Sequence, residues 1–278
     1  MRSVLFLGTA SGAGKTTLDA VFCRYLVRKG LNVAPFKASN LSLNSFVTED
    51  GKEIGMGQAL QSWACGKEPS AHMNPVLLKP ADGSRLQIIL RGEPLLDVGP
   101  SRDYDRVMVM AKAYESYDHL LSVSDFVVCE GSGSPAELNL INTDMANVGL
   151  MRARKVPSIL VADIERGGVF AAIYGTWKLI PEDVRPLLKG FVINRFRGDA
   201  SLLDSGIRKI EELTGMKCIG VVPYESLRLP EEDSMSQSGG EIGEGDIRQG
   251  FISNLDRMLA SAEAAGVDFS MIEKMAEH

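Results

Sequence analysis

Long hydrophobic runs, paired cysteines and an excess of basic residues are all missing from this sequence of 278 residues. Its apolar runs fall far short of the roughly 20 residues that a membrane-spanning helix needs, so we expect no membrane segment. The apolar stretch at residues 4–7 is too short for a secretion signal, and a glycine-rich turn follows it where a cleavage site would be needed. We interpret it as a first β-strand.

Cysteines are few and widely spaced, and none forms a Cys-x-x-Cys pair. This spacing argues against a zinc site and against a disulfide framework, and it favours a protein of the reducing cytoplasm. The simplest interpretation is four packed thiols: Cys23, Cys65, Cys129 and Cys218.

The formal net charge is −6. Nucleic-acid-binding proteins usually carry a basic excess, so nucleic acid is not an expected partner. A local cationic pocket for an anionic small molecule remains compatible with this charge.

Short apolar runs alternate with longer amphipathic segments, and several runs rich in valine and isoleucine suit parallel strands covered on both faces. The alternation predicts an α/β fold with a doubly wound, mostly parallel sheet, whose ligands gather at the carboxyl ends of the strands. We predict strands at residues 4–7, 32–37, 86–90, 125–129, 157–162, 191–194 and 218–222, and helices at about residues 16–28, 55–65, 104–121 and 203–213.

The last part of the chain differs in composition. Residues 233–246 are rich in serine, glycine and glutamate, which is typical of a flexible linker. Apolar residues then recur at helical spacing from Phe251 onward. We therefore predict a domain at residues 1–234, a linker at residues 235–250 and a short helical tail at residues 251–278.

A phosphate-binding loop is the strongest functional signal. Between Gly8 and Thr16 a glycine-rich segment follows a strand and opens a helix, which is the context a P-loop requires. Glycines let backbone N–H groups approach phosphate oxygens, and the helix N-terminus adds a favourable dipole. The alternative is a turn that merely caps a helix. The predicted nucleotide-binding residues are Gly12, Ala13, Gly14, Lys15, Thr16 and Thr17.

Two acidic residues stand at predicted strand ends, where a metal bound to the phosphates would need ligands. Glu130 and Asp163 each follow an apolar strand, and carboxylate oxygens are ligands that Mg²⁺ prefers. With the Thr16 hydroxyl they form the predicted metal set. The alternative is that each acid simply caps the following helix.

Nine motifs resemble the cobyric acid synthases, and they come in the order that this family shows. The P-loop itself has five residues between Gly8 and Gly14, where the usual pattern has four, and this longer spacing resembles dethiobiotin synthetase and its relatives. The motifs, spread over residues 1–234, are PFK (35–37), NLSLNS (40–45), DGKEIG (50–55), HMNPVLLKP (72–80), EGSGSPAELN (130–139), DIERGGVF (163–170), NRFRGD (194–199), GVVP (220–223) and LPEEDS (229–234).

The resemblance implies an ATP- and Mg²⁺-dependent synthetase domain that amidates peripheral carboxylates of adenosylcobyrinic acid a,c-diamide, a corrinoid, in cobalamin synthesis. ATP would phosphorylate each carboxylate, and ammonia would displace the phosphate. The reaction brings two anions together, so cations and Mg²⁺ must stabilise the charge that develops.

The family's functional residues carry over to matching positions. Lys15, Lys37 and Glu130 are implied as catalytic residues, and Asn194 and Pro223 as contacts of the adenine. The other polar positions could equally be turn, cap or surface ion-pair residues. Those implied as substrate contacts are Asn40, Asn44, Ser134, Glu137, Asn139 and Arg166, the last as a clamp on a substrate carboxylate.

Cobyric acid synthases usually also carry a glutaminase domain, which needs a nucleophilic cysteine with histidine and glutamate partners. No cysteine of this sequence fits, because Cys218 lies inside a predicted strand and only the terminal His278 follows it. Ammonia is therefore expected from a separate glutaminase subunit or from solution, unless the sequence is an excised domain. The family also implies a homodimer, which light scattering tests.

Two other functions compete with this interpretation. One is a related carboxylate-activating enzyme, similar to cobyrinic acid a,c-diamide synthase or dethiobiotin synthetase. The other is a non-enzymatic ATP switch similar to the partitioning ATPases, which carry an extra lysine early in the P-loop. Here Thr9, Ala10 and Ser11 occupy that region, and the predicted tail is acidic, which argues against docking on a membrane.

Overall fold

A parallel six-stranded sheet forms the centre of the computed structural model, which describes residues 2–81, 85–99, 103–225 and 247–277. The strands are β1 (Arg2–Gly8), β2 (Val33–Phe36), β3 (Ser39–Leu41), β4 (Ser45–Val47), β5 (Glu53–Gly55), β6 (Val76–Ala81), β7 (Arg85–Leu90), β8 (Glu93–Val98), β9 (Phe126–Glu130), β10 (Ser158–Asp163), β11 (Leu188–Phe196) and β12 (Lys217–Pro223). The α-helices are α1 (Lys15–Arg28), α2 (Met56–Ala64), α3 (Arg106–Val123), α4 (Val148–Arg154), α5 (Val169–Leu179), α6 (Asp204–Thr214), α7 (Ile247–Ala264) and α8 (Phe269–Met275).

The strand order of the central sheet is β12-β11-β10-β1-β9-β2, and every pairing within it is parallel. Successive side chains of β1 enter different cores, as alternation along a strand requires: Val4 and Phe6 belong to one apolar cluster, and Leu5 and Leu7 to the other. Both faces are therefore covered by helices. The predicted doubly wound fold is confirmed.

A smaller sheet lies between β2 and α3 in the chain. Its order is β3-β6-β7-β8, with a parallel β3–β6 pair and two antiparallel pairs, and a separate β4–β5 hairpin accompanies it. Of these strands the sequence predicted only β7. The hairpin and β3 have three residues per strand, too few for an alternating pattern to be recognised.

The C-terminal helices close one face of the central sheet. Helix α7 packs on α1 and α2, and α8 packs beneath β12. The predicted linker boundary is wrong at its end, because α7 begins at Ile247, so residues 247–250 are helical. The rest of that linker, and motif residues 229–234, lie outside the described residues. The tail contributes six large side chains to the core: Phe251, Leu255, Leu259, Val267, Phe269 and Ile272.

Aromatic contacts and ion pairs fasten these helices to the first helix. Phe269 stacks on Phe22 with ring centroids 6.2 Å apart and lies 5.5 Å from the ring of Tyr25. Arg24 donates to Asp256 at 2.9 Å. The tail is therefore an integral part of the domain. No helix in the described part of the chain is both long and apolar enough to cross a membrane.

Candidate active site

The predicted P-loop connects β1 to α1, with Gly14 at the N-cap of the helix. The φ angle of Gly14 is 92°, in the left-handed region, and a Cβ atom there would lie 2.1 Å from Asn194 Nδ2. Only glycine meets both requirements. The loop folds back on the side chain of Lys15, whose Nζ donates to Ala10 O at 3.4 Å. A helix N-terminus that follows such a loop is favourable for binding phosphate.

Two predicted site residues, Thr16 and Lys37, contact a third, Glu130, which is the last residue of β9. Thr16 Oγ1 donates to Glu130 Oε1 at 2.8 Å, and Lys37 Nζ donates to the same oxygen at 3.1 Å. Glu130 is 1% exposed and Lys37 is 6% exposed. An ion pair buried this deeply costs desolvation energy, so it is weak evidence for stability alone. The position of this ion pair beside the P-loop fits a role in binding or stabilising charged groups.

Lys37 is held at the end of β2 through its own backbone. Lys37 N donates to Met73 O at 2.8 Å, and Asn74 Nδ2 donates to Lys37 O at 3.0 Å. The same Asn74 accepts from Gly55 N at 2.9 Å, immediately before α2 begins. The motif at residues 72–80 thus joins the lysine to the start of α2, and sequence reasoning gave Asn74 no role.

The loop after Glu130 is fixed by Asn147. Ser132 N donates to Asn147 Oδ1 at 3.0 Å, and Asn147 Nδ2 donates back to Ser132 O at 2.7 Å. A Cβ on Gly131 would lie 2.0 Å from Asn147 Oδ1, so the close approach requires glycine at this position. Asn147 was not predicted, because none of the recognised motifs contains it.

Asp163 and Asn194, at the ends of β10 and β11, have partners that the sequence did not indicate. Asp163 Oδ2 accepts from Arg195 at 2.8 Å and Oδ1 accepts from Glu165 N at 2.8 Å. Asn194 Nδ2 donates to Ala13 O at 2.9 Å. Asp163 thus forms an ion pair with Arg195, and Asn194 braces the P-loop from the side. Their metal and adenine roles stay predictions.

The residues implied as substrate contacts lie on β3 and on loops, and they differ in exposure. Asn40 is buried, and its Nδ2 donates to Gln58 Oε1 at 3.2 Å. Ser134 is also buried, and its Oγ accepts from Ala136 N. Pro223, which was implied as a contact of the adenine, is the last residue of β12 and pairs with Phe196 of β11. The exposed members of the set are Asn44, Glu137, Asn139 and Arg166.

Two buried polar residues beside Glu130 were missed by sequence reasoning. Gln61 Nε2, on α2, donates to Glu130 Oε2 at 2.7 Å. Asp19, on α1, is completely buried, and its Oδ1 accepts a weak bond from Cys23 Sγ at 3.7 Å. In the described part of the chain, Asp19 Oδ2 and Gln61 Oε1 find no hydrogen-bond partner. Their polarity inside apolar helical stretches was the available signal.

Burial, reinforced by the Glu130 carboxylate, raises the pKa of Asp19 well above its ordinary value. In the unfolded chain this carboxyl ionises at about pH 4. Above that pH the unfolded state binds fewer protons than the native state, so stability falls as pH rises towards the folded pKa. Asp19→Asn cannot ionise, and we expect it to be more stable than the parent at pH 8, by about 1–3 kcal/mol, and to differ little near pH 4.

Chemical denaturation of both proteins between pH 4 and pH 8 measures this difference. Asp103→Asn removes an exposed carboxylate and serves as the control. Its stability should change with pH in the same way as that of the parent. Equal pH slopes for Asp19→Asn and the parent would show that Asp19 is ionised in the native protein.

Comparison with known proteins gives the family. The nucleotide-binding domain family described as "CbiA: CobQ/CobB/MinD/ParA nucleotide binding domain" matches residues 4–236. A protein named "Probable cobyric acid synthase" from Methanoculleus marisnigri is 47% identical over 276 residues, which cover 96% of this chain and 56% of that protein. The "Cobyric acid synthase" of Vibrio parahaemolyticus is 51% identical over 237 residues, covering 84% of this chain and 49% of its own length.

The chain thus spans about half the length of the relatives it matches. The matched family region contains the P-loop, Lys37, Glu130 and Asn194, the residues that the fold gathers at one end of the sheet. The chain belongs to the CobQ/CobB/MinD/ParA nucleotide-binding domain family.

Proposed function

We propose that this chain uses ATP to activate a carboxylate for amidation, as the synthetase part of a cobyric acid synthase. The observation that carries the proposal is the buried meeting of Thr16, Lys37 and Glu130 beside the P-loop, in a chain 47–51% identical to proteins named for that activity. The proposed substrate is adenosylcobyrinic acid a,c-diamide.

Magnesium fits the donor set at Glu130. The Thr16 hydroxyl and the Glu130 carboxylate are hard oxygen ligands, and Thr16 Oγ1 lies 2.8 Å from Glu130 Oε1. In the described ranges no three His, Cys, Asp or Glu side chains form a complete metal site, so phosphates and water would supply the other ligands. When bound, Mg²⁺ neutralises charge on the β- and γ-phosphates.

The chain's own residues supply binding and charge stabilisation. The N–H groups at the start of α1 and Lys15 bind the β- and γ-phosphates. A substrate carboxylate oxygen attacks the γ-phosphorus and ADP leaves, which forms an acyl phosphate. Ammonia then attacks the acyl carbon, phosphate leaves, and the amide nitrogen loses a proton. Lys37 stabilises the negative charge that gathers on the transferred group.

The test is a turnover assay with purified chain, ATP, Mg²⁺ and ammonium chloride, with and without adenosylcobyrinic acid a,c-diamide. We expect ADP release that depends on the corrinoid, and a product mass showing exchange of carboxyl OH for NH₂. Glutamine should not replace ammonium. Lys15→Ala should abolish the reaction, whereas Lys189→Ala, which changes an exposed lysine of β11, should not.

The outcomes separate the candidate functions. ATP binding with no change in corrinoid mass would contradict the amidation proposal for the chain on its own. Turnover with another acid would point to a different carboxylate-activating enzyme. Nucleotide-dependent dimerisation with neither product would support an ATP switch.

A further inference from the structure

Both oxygens of the Glu130 carboxylate are contacted. Thr16 and Lys37 contact Oε1, at 2.8 and 3.1 Å, and Gln61 Nε2 donates to Oε2 at 2.7 Å. These donors come from α1, from the end of β2 and from α2. Three separate elements thus fix the orientation of one carboxylate.

Gln61 is held in place by its surroundings. It is 1% exposed, on a helix that packs against α1. The start of that helix is tied to Lys37 through Asn74, which bonds both Gly55 N and Lys37 O. The glutamine and the lysine therefore approach Glu130 from elements that Asn74 connects.

The amide on Oε2 is chemically distinct from the cation on Oε1. Lys37 already offsets the charge of Glu130, and a second cation would leave too little negative charge to attract a divalent metal. A neutral N–H donor fixes the direction of the carboxylate without neutralising it. Groups that orient metal ligands in this way typically change metal affinity about 10–100-fold when they are removed.

We propose that Gln61 is a positioning residue that orients the Glu130 carboxylate towards Mg²⁺ at the phosphate site. This inference rests on the metal site of the proposed function, but not on the corrinoid or on amidation. It assigns a role to a helix that is separated from the P-loop by about forty residues of chain and that no phosphate-binding motif includes.

The test is calorimetric binding of a non-hydrolysable ATP analogue across a Mg²⁺ titration, compared with binding in excess EDTA. Gln61→Met is a near-isosteric change. For this variant we expect the Mg²⁺ concentration at which nucleotide affinity is half-maximally enhanced to rise about 10–100-fold. Affinity in EDTA should stay within about twofold of the parent, since nucleotide contacts are untouched. Gln61→Asn keeps the amide but is too short to reach Oε2, and it should show the same shift.

Ser62→Ala is the matched control. Ser62 is also fully buried on α2, but its hydroxyl donates only within the helix, to Ala59 O at 2.7 Å, so the metal titration should not change. An unchanged Mg²⁺ midpoint in both Gln61 variants would overturn the inference. So would equal losses of affinity with and without metal, which indicate a packing role alone. A parent protein indifferent to Mg²⁺ would overturn the metal site as well, whereas failed amidation with a normal Mg²⁺ titration affects only the proposed reaction.

Discussion

Replacing Lys37 with Met, or Glu130 with Gln, is expected to abolish nucleotide turnover and to destabilise the protein by about 3–5 kcal/mol in each case. The two side chains form an ion pair at 3.1 Å with almost no exposure to solvent. Removing one partner leaves the other charge buried without its counter-charge. The double variant Lys37→Met/Glu130→Gln buries neither charge, so its destabilisation should be far smaller than the sum of the single changes.

Denaturation and ATP turnover, measured on all four proteins, separate the two effects. Stability should recover in the double variant while turnover stays at least about a hundredfold below the parent, because the cation and the metal ligand are both gone. The Arg152–Asp183 pair is the control, since both side chains are about half exposed and Arg152→Met should cost less than about 1 kcal/mol. Additive destabilisation in the double variant would show that the buried pair is not coupled.

A chain ending at residue 246 is expected not to fold. It loses α7 and α8, whose large buried side chains contribute about 1.5–3 kcal/mol each, comparable in total with the whole stability of about 5–15 kcal/mol of a typical domain. The apolar face over β1 and α1, including Phe22, would be opened to water. Circular dichroism and nucleotide binding of the truncated chain measure the result.

A graded version of this experiment uses single changes in the full chain. Phe269→Ala removes a fully buried ring and should cost about 3–5 kcal/mol. Ile247→Ala, at a half-exposed position of the same tail, should stay within about 0.5 kcal/mol. A truncated chain that folds and binds nucleotide like the parent would show that the core is complete without these helices.

The central sheet followed directly from the sequence because its inner strands are buried on both faces. Continuous apolar runs such as those of β9 and β10 are recognisable without knowledge of their neighbours. The small sheet did not follow, because its short strands depend on pairing partners that only the fold supplies. The start of α7 was misplaced for a similar reason: its first turn has little apolar pattern, and Arg248 in it donates to Glu68, a partner that only the fold supplies.

The site residues also divide into those that the sequence indicated and those that it did not. Lys15 stood out in the sequence within a glycine-rich turn and Glu130 at the end of an apolar strand, whereas Lys37 was implied only by the resemblance to the cobyric acid synthases; the fold brings Lys37 and Glu130 into contact. Gln61 was missed because its polarity within a helical stretch does not show that its amide reaches Glu130, far away in the sequence. For Asn194 the sequence gave an adenine contact, which stays a prediction, but not the hydrogen bond from its amide to the P-loop. Sequence indicates which polar groups are unusual, but only packing shows where each donor points.

The central position of β1 has a consequence for how the protein is made. Its two neighbours, β9 and β10, come from the middle of the chain, and Thr16 meets Glu130 across 114 residues. As the chain leaves the ribosome, the P-loop therefore emerges before β9 and β10 and cannot be completed until most of the sheet has been synthesised. Contacts this distant in sequence make folding slow and leave apolar strands exposed meanwhile. We expect nucleotide to be captured late, after the two last helices have sealed the sheet.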